Sequence, residues 1–173
     1  MSFIRTLKNK YYQCFKPYKY AVKMGVNFSG KGKVVFFGKV SWGSEPWIIT
    51  IGDNVYITNN CHFITHDGGT LLFRNEIPDL EVTKPIVIKN NVYIGDNVTI
   101  MPGVTIGNNV VVGTGAVVTK DLPDNGVYAG VPARFIKSID EYKQKLMDES
   151  LHIGHLQGKE KDQALRDYYG YKK

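Results

Sequence analysis

The chain has 173 residues, of which 43% are hydrophobic, enough to bury one sizeable core. No run of about 18 apolar residues occurs, so no helical membrane span is expected, and two cysteines, Cys14 and Cys61, offer neither a disulfide framework nor zinc-site spacing. The formal charge of +6 weakly favours an anionic partner, but no helix-turn-helix, RRM or finger signature accompanies it, so nucleic acid is not expected.

The opening stretch, MSFIRTLKNKYYQCF, lacks an uninterrupted apolar segment with a small-residue cleavage site. This argues against a secretory signal and for a cytoplasmic protein. Residues 1–24 read as a basic amphipathic helix. Phe3, Leu7, Tyr11, Cys14 and Phe15 fall near one face, and Arg5, Lys8, Lys10 and Lys16 lie largely around the rest. Such a helix either caps the open end of the domain that follows or makes a peripheral contact with the inner face of a membrane through its lysines.

From Val22 to Val40 a weak six-residue period runs through Val22, Phe28, Val34 and Val40. The segment SWGSEPWIIT at 41–50 breaks the phase and reads as a short excursion, whose Trp42 and Trp47 either pack or line a sugar-binding mouth. Clean repeats begin at Ile51 as IGDNVY and ITNNCH, with Asn54 and Asn60 at the corner position and Cys61 pointing inward as a small hydrophobe. Phe63 and Ile88 are 25 residues apart, four sixes plus one. A slip of one residue would turn interior side chains outward, so residues from about 66 to 85 are expected to leave the repeat as an external loop. A loop of this length in a compact solenoid usually carries function.

The stretch from Ile88 to Pro123 organises the rest. Ile88, Ile94, Ile100, Ile106, Val112 and Val118 recur every six residues, and Val92, Val98, Val104, Val110, Ala116 and Leu122 sit four places after each. Three places after each sit Asn91, Asn97, Gly103, Asn109, Gly115 and Asp121, residue types that tolerate a left-handed backbone. A period of six is neither helical nor a plain strand alternation, and it points to a parallel β-helix built from short strands and corners. Beyond it, Asp124-Asn125-Gly126 reads as a turn before a short final strand. Ser138 to Glu141 matches a capping box opening a helix to about Met147, and 159–169 reads as a second helix ending near Gly170. The domain organisation is thus an N-terminal helical segment over 1–24, a β-helix over 25–137 with its external loop, and a helical extension over 138–173.

Acyl transfer to a hydroxyl or amine needs a base near the nucleophile and donors for the developing oxyanion. Of four histidines, His152 and His155 lie beyond the repeats, which leaves His62, beside a corner, and His66, which opens the loop in THDGG.

The repeat, together with VYIGDN at 92–97, VGTGAVVTKD at 112–121 and AGVPARFIK at 129–137, resembles the hexapeptide-repeat acyltransferases over roughly residues 50–140. Within that superfamily the chain is similar to the maltose/galactoside-type and polysaccharide O-acetyltransferases. The resemblance implies a left-handed β-helix with three hexads per coil and acetyl-CoA as acyl donor, with no metal required. It implies His66 as general base and a homotrimer that sets His66 of one subunit opposite the CoA wall of the next. That wall would use Tyr93, Gly113, Thr114, Gly115 and Ala116 along the pantetheine arm, and Thr119 and Lys120 at the nucleotide end. Arg134 and Lys137 would meet the phosphates. The group that orients His66 stays open, with Glu45 a remote candidate and Asp67 too close in sequence to be assumed.

The expected activity is O-acetylation of a sugar hydroxyl in surface polysaccharide or glycan modification. The alternatives are an amino-sugar N-acetyltransferase and a non-catalytic β-helix scaffold. A γ-type carbonic anhydrase would share the fold, but it needs three histidines around zinc and the repeats offer two.

Overall fold

Each hexad becomes one short strand and one corner in the computed structural model, which describes residues 11–13 and 15–171. The strands stack into three parallel sheets, the faces of a left-handed β-helix. Face 1 holds β1 (Asn27–Phe28), β4 (Ile49–Ile51), β7 (Ile86–Ile88) and β10 (Thr105–Ile106). Face 2 holds β2 (Val34–Phe36), β5 (Val55–Ile57), β8 (Val92–Ile94), β11 (Val110–Val112), β13 (Gly126–Ala129) and β14 (Arg134–Ser138). Face 3 holds β3 (Val40–Ser41), β6 (Cys61–Phe63), β9 (Thr99–Ile100) and β12 (Val117–Val118). The chain passes from face 1 to 2 to 3 and back, one turn per coil.

The β-branched column fills the interior. Ile88, Ile94, Ile100, Ile106, Val112 and Val118 are buried, as is the second apolar column from Val92 to Leu122. Cys61 is fully buried in the same stack; its thiol lies 3.3 Å from the Gly95 carbonyl, and burial pushes its pKa up to about 11. It is an inert packing residue at neutral pH.

The corners explain the asparagines. Asn54, Asn60, Asn91, Asn97 and Asn109 adopt φ between 54° and 59°. Between faces 1 and 2 their amides form a ladder along the axis: Asn54 donates to Asn91, Asn91 to Asn109 and Asn109 to Asn125, at 2.9, 3.0 and 2.7 Å. A second ladder runs beside it, in which Asn90, Asn108 and Asp124 each accept the backbone N–H of the coil before. These ladders satisfy corner backbone that strand pairing leaves open.

The sixth repeat departs from expectation. Asp121 is not left-handed; Leu122 pairs with Ile106 rather than with Val104, and the positive φ passes to Asn125. The Asp121 carboxylate accepts the Thr105 N–H instead, and the last coil is two residues short, with Val111 opposite Val127. The final strand is a hairpin, since β14 pairs antiparallel with β13 and closes the edge of face 2.

At the other end, helix α1 (Pro17–Met24) packs against the first coil through Ala21, Tyr20 and Met24 and ends at Gly25 in the left-handed conformation. Val22 is half exposed on this helix, so it is not a member of the coil column. Residues 11–13 and 15 are helical as well, but Lys16, with φ −141° and ψ 55°, is not, so 1–24 is not one continuous helix; Phe3, Leu7, Arg5, Lys8, Lys10 and Cys14 lie outside the described residues. Residues 140–173 form a second compact unit, with α2 (Ile139–Asp148) and α3 (Gly158–Tyr169), the latter capped by left-handed Gly170.

Replacing Asn91 with alanine is expected to lower the unfolding free energy by roughly 1–3 kcal/mol, from a forced left-handed residue and a broken ladder. Asn91→Gly should cost less, because glycine keeps the backbone conformation. Urea denaturation of the two variants measures both.

Candidate active site

Two insertions leave the solenoid at the same corner, between face 3 and face 1, in adjacent coils. In the regular coils paired residues are 18 apart, as Ile88 with Ile106. Val40 pairs with Cys61, 21 residues on, so the excursion after β3 adds three residues. Ile51 pairs with Ile88, 37 residues on, so the loop after β6 adds 19. The phase of every strand is preserved and the extra residues are expelled sideways.

The first insertion delivers Glu45. Trp42 is buried against Phe63 and Phe36, with ring centroids 4.8 and 5.9 Å away, so it belongs to the core and not to an exposed mouth; Trp47 is 60% exposed. Gly43 then turns at φ 67°, where a Cβ would stand 2.8 Å from the Phe63 carbonyl and 2.9 Å from the Thr65 hydroxyl. Only glycine lets the chain pass this close to the coil above. Pro46 opens a short 3-10 turn over 46–48, and Glu45 is left facing the start of the second insertion.

The second insertion delivers His66. It is held at its base by a bridge between His66 and Thr83, with Asp67 N–H donating to Val82 and Lys84 N–H to Thr65, each at 2.9 Å. The Asp67 carboxylate accepts the Gly69 N–H at 2.9 Å and starts the 3-10 turn over 68–72, so it is occupied with the loop backbone. The orienting group of His66 is Glu45: its Oε2 lies 2.9 Å from His66 Nδ1. The same oxygen accepts the hydroxyl of buried Thr65 at 2.5 Å. That hydroxyl, and after it the imidazole, hold the Glu45 carboxyl below its ordinary value of 4.5. An ionised carboxylate only accepts, so Nδ1 is the nitrogen that donates to it, and in the neutral imidazole the lone pair lies on Nε2.

Glu45, His66, Thr70, Leu71, Arg74 and Glu81 line a cleft of about 170 Å3. Arg74 is fixed there by Glu81 at 2.5 Å and by the Leu80 carbonyl at 3.2 Å, and Glu81 also accepts the Thr83 hydroxyl. His62 lies on β6 between inward Cys61 and Phe63, on the outer side of face 3 and away from this cleft. Among the described residues no cluster of His, Cys, Asp or Glu could hold a metal ion.

The other residues singled out in the sequence fall in three places. Tyr93 is exposed on face 2, and Arg134 and Lys137 lie on β14 at the edge of that face. Gly113, Thr114 and Gly115 form the corner between faces 2 and 3, where the Gly113 and Gly115 amides already donate to Tyr128 and Asp96. The Ala116 side chain is fully buried, so it lines the core and not a wall. Thr119 and Lys120 are exposed at the corner between faces 3 and 1, on the edge that carries His66, two coils further along. On one chain, face 3 separates Tyr93 from Thr119 and Lys120.

The family of bacterial transferase hexapeptide proteins (six repeats) matches residues 85–120. Protein CapG of Staphylococcus aureus is 46% identical over 139 residues, covering 80% of this chain and 81% of that protein. The chain belongs to the hexapeptide-repeat transferases. Galactoside O-acetyltransferase of Escherichia coli (strain K12) is 45% identical over 103 residues, or 56% of this chain, which spans 47% of the length of that relative. A solved galactoside acetyltransferase in complex with coenzyme A superposes with a TM-score of 0.57 at 30% identity and covers 82% of each chain. This hexapeptide transferase is an acyltransferase whose relatives and structural neighbours are named acetyltransferases.

Because the folded-state pKa of Glu45 is depressed, its contribution to stability is full above the ordinary carboxyl value and is lost as pH falls through the folded value. The stability difference between wild type and Glu45→Gln should therefore shrink on acidification below pH 4.5. Chemical denaturation across that range measures it, and imidazole NMR should show His66 leaving its Nδ1–H tautomer in the variant.

Proposed function

We propose that this hexapeptide transferase is an acetyl-CoA-dependent O-acetyltransferase acting on a sugar hydroxyl in the cytoplasm, in the modification of surface polysaccharide or another glycan, with His66 as general base. The observation that carries the reading is the bond between His66 Nδ1 and Glu45. With Nδ1 donating to Glu45, Nε2 is the basic nitrogen of the neutral imidazole, on a histidine that lines a cleft with Thr70, Leu71, Arg74 and Glu81, as proton abstraction from a hydroxyl requires.

In the proposed reaction Nε2 takes the proton of the acceptor hydroxyl while its oxygen attacks the thioester carbonyl. The C–O bond forms, backbone N–H groups of the adjacent subunit receive the oxyanion, and the tetrahedral intermediate collapses with cleavage of the C–S bond. The imidazolium, stabilised by Glu45, returns its proton to the CoA thiolate. No acyl-enzyme forms, and His66 ends as it began.

A homotrimer completes this scheme. Its support is the apolar tip of the loop, where Leu71, Leu72 and Phe73 are all more than half exposed, a cost that burial against a neighbouring subunit would remove. The coenzyme A bound in the galactoside acetyltransferase neighbour supports the choice of donor. Tyr93, Gly113–Gly115, Thr119, Lys120, Arg134 and Lys137 are the proposed donor contacts, shared between the two subunits that flank each groove.

His66→Ala should lower kcat on the true acceptor by about 10²–10⁴-fold, with little change in the affinity for acetyl-CoA. Glu45→Gln should lower kcat by a smaller factor. Release of CoA measured on a panel of neutral sugars, amino sugars and nucleotide-linked sugars tests both. Turnover that survives His66→Ala removes this base from the mechanism, and turnover confined to an amine acceptor converts the reading to N-acetylation.

A further inference from the structure

The charge of this protein is divided sharply along the chain. Nine of the 22 basic residues and none of the 16 acidic ones precede Glu45, whereas the 129 residues from Glu45 onward carry 13 basic and 16 acidic. The net positive charge thus resides wholly in the first 44 residues. The fold converts this sequence asymmetry into a spatial one, because residues 17–41 form α1 and the first coil, at one end of the solenoid.

That end is both basic and apolar on its outer surface. Lys16, Lys19, Lys23, Lys31, Lys33 and Lys39 are all exposed. On α1 the inward side is Ala21, Tyr20 and Met24, which leaves Val22 on the solvent side beside Lys19 and Lys23, while Tyr18 rests one ring face on Phe28 at 4.6 Å and keeps the rest of its side chain in solvent. Tyr18 and Val22 are 45% and 50% exposed, and Phe15 and Phe37 are 73% and 63% exposed. Lysines with long apolar stems, interleaved with tyrosine and phenylalanine, suit the interface of an anionic bilayer; the Asp53 carboxylate of the next coil, which reaches the corner between Lys31 and Lys33, accepts the Gly32 N–H. Single-stranded nucleic acid would use the same charge. The depression beside α1, about 450 Å3 and lined by Lys16, Tyr18, Lys19 and Val34–Phe36, is however mainly apolar and holds one aromatic of the helix, not the row of stacking platforms along a groove that a single strand needs.

We infer that the first-coil end of the solenoid docks this enzyme on an anionic membrane surface, through the lysines of residues 16–39 with Tyr18, Val22 and Phe15 entering the headgroup layer. Docking leaves the three side faces free. It also brings the cleft close to the surface, since β6, which leads into His66, lies one strand spacing, about 4.8 Å, from β3 of the docked coil.

The test is co-sedimentation of the purified full-length protein with vesicles of phosphatidylcholine alone or with phosphatidylglycerol. It needs neither acetyl-CoA nor an acceptor, so its failure would leave the transferase reading intact. Binding to phosphatidylglycerol vesicles but not to neutral ones, weakened by salt, is expected. The triple variant Lys19→Gln/Lys31→Gln/Lys33→Gln should bind on the order of 100-fold more weakly, at about fivefold per lysine. Tyr18→Ser/Val22→Ser should also weaken binding, and unchanged circular dichroism and elution volume would show that both variants are folded. No binding to anionic vesicles, or equal binding to neutral ones, overturns the proposal. So does failure on vesicles combined with lysine-dependent binding of a single-stranded RNA, which would assign the surface to nucleic acid.

Discussion

The structure depends on one constraint: each coil must hydrogen-bond in register to the coils above and below it. A parallel strand two or three residues long cannot satisfy its own N–H and C=O groups, so every coil is completed by its neighbours. The strict six-residue period, the interior stacks of isoleucine and valine and the left-handed asparagine corners all serve that requirement. Added residues can therefore leave only at a corner, and only in numbers that restore the pairing. The excursion after β3 and the loop after β6 both do this, with Val40 still opposite Cys61 and Ile51 still opposite Ile88.

The site is a consequence of where those two departures occur. Both use the corner between face 3 and face 1, one coil apart, so their first residues are stacked neighbours. Gly43 permits the close pass, Thr65 and His66 share one oxygen of Glu45, and the bridge from His66 to Thr83 prevents the loop base from rotating the imidazole away. The rigidity of the solenoid is thereby lent to a histidine on a loop. That is what the proposed general base needs, because misplacement by about 1 Å costs a large part of the rate. The hydroxyl of Thr65 keeps Glu45 ionised, and an ionised Glu45 keeps the proton on Nδ1.

Along the axis the molecule is unequal. One end carries a basic helix and coil, the middle carries the cleft, and the other end is closed by the β13–β14 hairpin, where the hexad gives way and Asn125 takes over the corner from Asp121. The two ends meet the same physical demand, an exposed edge of parallel strands, by different means. The helix at the first coil also presents an outer surface with Lys19 and Lys23 and no acidic residue of its own.

The repeat was legible in the residues because its signal is local: a β-branched residue every six positions and an asparagine or glycine three places on have a direct steric cause. The external loop was legible as a break in phase, and His66 as the histidine that opens it. Glu45 was visible only as a distant candidate, because its partnership depends on the number of residues each insertion expels, which pairing across coils decides. The two readings of Trp42 could not be separated for the same reason, because only the stacking of Phe63 against it decides for packing. Val22 stands at the right interval for the column but is turned outward because the chain around it is helical. The sequence by itself determined the coil and, Asp121 apart, its asparagine and glycine corners, since these rest on interactions within a few residues, and it placed His66 at the opening of the loop. Only the tertiary structure decided which carboxylate holds that histidine and which end of the solenoid gathers the charge, because both depend on residues brought together by stacking and not by proximity along the chain.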